Sequence, residues 1–89
     1  MATFMVTYDL IRPGKDYSKL YDAIKSLGSW WHYLDSTWFF VSSSSAKEIR
    51  DELLRHVDGN DKILVLRSGK EAAWSGISNK GSDWLKNNL

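Results

Sequence analysis

The sequence predicts an α+β domain with the element order β-α-β-β-α-β and a short C-terminal extension. Three observations predict it. The stretch "TFMVTYDL" alternates with period two, as a strand does. Tyr17, Leu20, Tyr21, Ile24 and Leu27 recur at helical spacing. Two further strand segments, a capped helix and another apolar strand then follow inside a chain of 89 residues. That length holds one domain, 1–89, with a core over about 3–68 and an extension over about 69–89.

Residues 3 to 10 read as the first strand, with Phe4, Val6, Tyr8 and Leu10 on one face and Met5, Thr7 and Asp9 on the other. Pro13 and Gly14 punctuate the loop "IRPGK". Asp16 is placed to cap the helix that follows, and Gly28 to stop it. "SWWHYLDSTWFFVS" is aromatic-rich and interrupted by Asp35-Ser36, so it reads as a hairpin with strands over 30–34 and 37–42. Strict alternation puts Trp31 and Tyr33 on one face and Trp30 and Leu34 on the other, with His32 between the latter two. Phe39 and Val41 oppose Trp38 and Phe40.

Ser45 and Glu48 fit a capping box, and Ala46, Ile49, Leu53 and Val57 form the inward stripe of a second helix that ends at Asp58-Gly59-Asn60. "KILVLRS", 62–68, is a strand whose continuous apolar centre predicts an interior position. In the tail, Ala72 to Ile77 suits a short edge strand. Ser82 suits the cap of a last short helix holding Trp84, Leu85 and Leu89. The whole order is the split βαβ pattern of the ferredoxin-like fold: a four-stranded antiparallel sheet with two helices on one face.

Composition narrows the function classes. No cysteine is present, so disulfides and thiolate zinc sites are excluded. The net charge is +1, so no global basic field drives nucleic-acid binding and any basic footprint is local. No stretch reaches membrane-span length and "MATFMVTYDL" lacks a basic n-region and cleavage site, so a cytoplasmic protein with no membrane partner is expected. Five Trp, four Tyr and three Phe supply large apolar areas. The strands are apolar on both faces, while two helices cover only one. A homodimer, or the C-terminal tail, is therefore expected on the second face.

The segments "MVTYDL", "RPGKDYSKLYDAIKSLGSWWHYLDSTW" (12–38) and "AAWSGISNKGSDWL" (72–85) resemble a known group. They are similar to uncharacterised SinR-like proteins of bacteria and phages. Those proteins are regarded as relatives of the small dimeric CRISPR-associated protein that pairs with the spacer integrase. The resemblance implies a ferredoxin-like homodimer acting on or binding nucleic acid. It also implies that the strand-end aspartate, Asp9 here, binds a divalent metal such as Mg²⁺ or Mn²⁺ at the dimer interface for phosphodiester hydrolysis, as an endonuclease would.

The residues allow several chemistries. Asp9 is the candidate catalytic residue and metal ligand, because two copies of one carboxylate brought together attract a hard cation. Its alternative role is to accept backbone N–H bonds from the "IRPGK" loop. Arg12 and Lys15 on that loop are candidate phosphate contacts, or ordinary solvated charges. Tyr8, Trp30, His32 and Trp38 are candidates for an aromatic interface or ligand cleft, since rings of this kind stack nucleobases when exposed. A module of another class fits the same residues: a non-enzymatic dimer binding a nucleotide or a protein partner.

Overall fold

The computed structural model of the protein describes residues 1–11 and 16–89. The elements are β1 (Ala2–Asp9), α1 (Ser18–Lys25), β2 (Trp30–Leu34), β3 (Thr37–Ser42), α2 (Ala46–Leu54), β4 (Lys62–Arg67) and α3 (Asn79–Asn88). The strands form one antiparallel sheet in the order β2-β3-β1-β4. This is the ferredoxin-like α+β arrangement that the element order predicts. No described helix is long and apolar enough to cross a membrane.

Alternation along the strands decides what the helices cover. Phe4, Val6 and Tyr8 of β1 and Trp38 and Phe40 of β3 pack with Leu20 and Ile24 of α1 and Ile49 and Leu53 of α2. Each such buried side chain stabilises the fold by roughly 1.5–3 kcal/mol relative to exposure. The start of α2 is the one expected, whereas the N-cap of α1 is Tyr17, which makes no side-chain capping bond, and not Asp16. The Asp16 carboxylate accepts the Ser18 N–H at 2.9 Å, which holds its pKa below the ordinary value. Ser45 Oγ accepts from the Glu48 N–H at 3.1 Å, and Glu48 Oε1 accepts from the Ser45 N–H at 2.9 Å. That reciprocal box satisfies two helix-end donors and lowers the Glu48 pKa. Helix α2 ends at Leu54, short of the Asp58-Gly59-Asn60 stop. Gly28 has φ +155°, and a Cβ there would lie 2.0 Å from the Val41 carbonyl oxygen. Only glycine lets the chain enter β2 so close to β3.

Four further sequence expectations are corrected. β4 is an edge strand, not an interior one. Its apolar run reflects two half-faces: Ile63 and Val65 pack toward the helices, while Leu64 and Leu66 are exposed on the other side. Leu34 lies on the face of Trp31 and Phe39, because the β2–β3 register is irregular between Trp31 and Leu34 and breaks strict alternation. Residues 72–77 form no strand. They lie over Trp31, Leu34 and Phe39 around a cavity of about 260 Å³ that Leu85 and Leu89 also line. Helix α3 is capped by Ser78, whose Oγ accepts the Gly81 N–H, and Ser82 sits inside the helix.

The extension covers part of the second face. Trp31 Nε1 donates to the Gly81 carbonyl at 3.0 Å, Trp84 Nε1 donates to Ser29 Oγ at 3.0 Å, and the Thr3 hydroxyl donates to the Asn88 carbonyl. Trp31 is left 1% exposed. The cover stops short of the β1–β4 side, where Leu64 remains 54% and Leu66 37% exposed beside half-buried Met5 and Thr7.

Candidate functional site

Tyr8 and Asp9 are neighbours in sequence, but the pleat of β1 sends them to opposite faces. Tyr8 turns under the helices. Asp9 is exposed at the strand end on the face of Thr7 and Leu64, directly opposite Lys62 of β4. The two sets of residues singled out from sequence therefore define two separate places.

The aromatic set does come together. Tyr8, Trp30, His32 and Trp38 lie on the helix-covered face toward the β2 edge, and Tyr21 of α1 joins them. His32 stacks on Trp38 with ring centres 3.7 Å apart and planes inclined by 11°. Trp38 Nε1 donates to the Tyr8 hydroxyl at 2.9 Å. The Tyr8 hydroxyl and His32 Nε2 both reach the Asp35 carbonyl, at 3.5 and 3.1 Å. A carbonyl only accepts, so His32 carries its proton on Nε2 in this contact. These bonds tie the hairpin turn to β1. Burial raises the Tyr8 pKa above its ordinary value of 10.0, and the Trp38 N–H partly offsets this by favouring the phenolate. Trp38 and Tyr8 are buried, and each is in contact with the Tyr21 ring. Trp30 is the one of the four with an exposed ring, at 43%, and the Lys25 ammonium sits 5.2 Å from its centre. A cation over an indole face is worth about 0.5–1 kcal/mol at such an exposed site.

At the Asp9 end, the N–H of Ile11, the one described residue of the "IRPGK" loop, is held by a different carboxylate, Asp61. Asp61 Oδ1 accepts the Ile11 N–H at 3.0 Å, both Asp61 oxygens accept from the Tyr17 hydroxyl at 3.1 Å, and Oδ2 accepts the Asp58 N–H at 2.9 Å. Nothing in the local pattern marks Asp61, because its partners lie up to 50 residues away in the chain. Asp9 makes no side-chain hydrogen bond or ion pair among the described residues. Arg12 and Lys15 fall outside the described residues.

The metal expectation meets a shortage of ligands. Among the described residues no three His, Cys, Asp or Glu side chains lie close enough to hold an ion. Mg²⁺ and Mn²⁺ take an octahedral oxygen shell, of which one carboxylate supplies at most two positions. The cationic groups overlooked in the sequence are Lys62, Arg67 and Lys70, all exposed, on β4 and its exit. None is in an ion pair among the described residues. The sequence matches no protein-family model.

Proposed function

We propose that this chain is a homodimeric nucleic-acid-binding module, with β4 and the uncovered strip beside it as the working side. One observation carries the reading. The apolar strip of Met5, Leu64 and Leu66 is left bare by the extension, Lys62 shares its face, and Arg67 and Lys70 stand at the other end of β4, with Arg67 turned to the helix side; none of the three is in an ion pair among the described residues. An apolar patch rimmed by charge suits an interaction surface. The cations supply the local basic footprint that a net charge of +1 otherwise withholds. The resemblance to the CRISPR-associated dimer family supports the same class.

The test is sedimentation to establish the dimer, with gel-shift titrations of labelled single- and double-stranded RNA and DNA at several salt concentrations. Binding is expected to weaken as salt rises, and to weaken further in Lys62→Ala, Arg67→Ala and Lys70→Ala. A dimer that shifts none of these substrates sinks the nucleic-acid reading.

A second reading, a metal-dependent endonuclease in which two copies of Asp9 share Mg²⁺ or Mn²⁺, is favoured by the exposure of Asp9, whose carboxylate has no partner among the described residues. Cleavage with Mn²⁺ that disappears in Asp9→Asn, with the dimer intact, would select it. Intact substrate in both proteins removes it.

A further inference from the structure

The dimer of the preceding reading, on which this inference rests, has a definable geometry. In β1 the N–H of Tyr8 bonds to the Ser36 carbonyl on the β3 side, and the Ser68 N–H bonds to the Thr3 carbonyl on the β4 side. Hydrogen-bonded and non-bonded pairs alternate along an antiparallel ladder. Given the register Thr7↔Leu64 and Met5↔Leu66, the backbone groups of Lys62, Leu64 and Leu66 therefore point inward to β1. Those of Ile63, Val65 and Arg67 point outward. No described strand lies beyond β4 to receive them.

The opposite edge is closed by comparison. β2 carries a register irregularity and has α3 tied against it. β4 pairs with β1 in unbroken register, contains no proline, and is not tied to the extension. A regular uncovered edge is a template for another strand.

We propose that a second copy of this chain adds to β4 edge to edge, with Val65 opposite the Val65 of its mate. Two four-stranded sheets then become one continuous sheet. Three considerations select this occupant and this register. Outward groups must oppose outward groups, and with Val65 on the two-fold axis Ile63 faces Arg67 twice, so every outward group of the strand is used. Leu64 then lies opposite Leu66 in the closely spaced non-bonded pairs, which brings the exposed leucines of the two chains into lateral contact. Lys62 falls opposite Ser68, whereas aligning the strand ends residue for residue would set Lys62 against Arg67. Such like-charge apposition destabilises a sheet.

The geometry also bears on Asp9. Lys62, and Asp9 beside it, lies six residues along the strand from the corresponding row of its mate. At about 3.4 Å per residue the two carboxylates stand roughly 20 Å apart along the sheet, beyond the reach of one shared ion.

The chain has no cysteine, so disulfide trapping reads the register directly. Leu64→Cys and Leu66→Cys chains are mixed, co-refolded and oxidised, beside each variant alone. The expected result is a cross-linked dimer in the mixture and little in either variant alone. Cross-linking of Leu64→Cys alone, or of Leu66→Cys alone, in preference to the mixture overturns the register. Backbone amide exchange of the unmodified protein is the companion measurement. The N–H groups of Ile63, Val65 and Arg67 are expected to exchange slowly at concentrations where the dimer forms and quickly on dilution. A dimer by sedimentation in which these amides stay fast overturns the edge pairing while leaving the homodimer reading intact. A monomer at all concentrations overturns both.

Discussion

The two edges of the sheet are built from similar apolar strands and end in opposite conditions. At β2, the tail returns as α3 and buries Trp31 through its indole N–H, through Leu85 and through the close approach of Gly81 to Tyr33. The strand is also irregular, which spoils it as a template. At β4, the leucines that alternate with Ile63 and Val65 stay in solvent, and the ladder is regular to its end. One edge is covered within the chain and the other stays open. Hydrophobic content alone does not separate covered from open strands here; where the tail comes to rest does.

The largest change expected comes from opening the closed edge. Trp31→Ala removes the residue on which the extension is seated, and a buried Trp→Ala change costs about 3–5 kcal/mol. Urea unfolding should show that loss, together with new proteolytic sensitivity in residues 69–89. A loss under about 1 kcal/mol would mean that α3 is not integral to the fold.

Gly81→Leu tests the same edge from the helix side. A Cβ at Gly81 meets Ile77 Cγ2 at 2.7 Å and the Tyr33 ring at 3.2 Å, so overpacking of about 1–3 kcal/mol is expected. Thermal unfolding that matched the unsubstituted protein would show that α3 shifts without cost.

At the open edge the pattern should reverse. Leu64→Asp is expected to leave the unfolding free energy of the monomer within about 0.5 kcal/mol, as for an exposed side chain, while abolishing the dimer in sedimentation. If the dimer survives with unchanged affinity, the contrast between the edges fails.

The smallest effect is in pH dependence and belongs to the aromatic cluster between the edges. The folded state raises the Tyr8 pKa above 10.0, so its stabilising contribution is fully present below pH 10 and is lost as pH rises through and beyond that value. Tyr8→Phe should flatten this alkaline loss. An unaltered slope above pH 10 would assign it to the other tyrosines.

Much of this fold was legible because its signals are local. The alternation of Phe4, Val6 and Tyr8, the Ser45–Glu48 capping box and the Asp35-Ser36 turn each specify an element from residues a few positions apart. The tail was less legible. Ser78 and Ser82 are equal candidates for a cap by type, and docking of the Gly81 carbonyl on Trp31 goes with the earlier start. Leu34 was misplaced because an irregular register is invisible to strict alternation. The candidate site divides in the same way. Asp9 could be placed at a strand end and on a face, but the hold of Asp61 on the Ile11 N–H joins segments 50 residues apart and has no local signature.

The sequence by itself determined the succession of strands and helices, the capping box that begins α2 and the residues that fill the core. These follow from backbone hydrogen bonding and from side-chain period, both of which act over a single turn or pleat. Only the tertiary structure decided that β4 lies at the edge, that the tail closes β2 instead, and that the face carrying Asp9 is left uncovered along β4. The physical reason is that an edge is a property of the order of all four strands. Which apolar face stays open depends on where a segment some fifty residues further along the chain from Trp31 comes to rest.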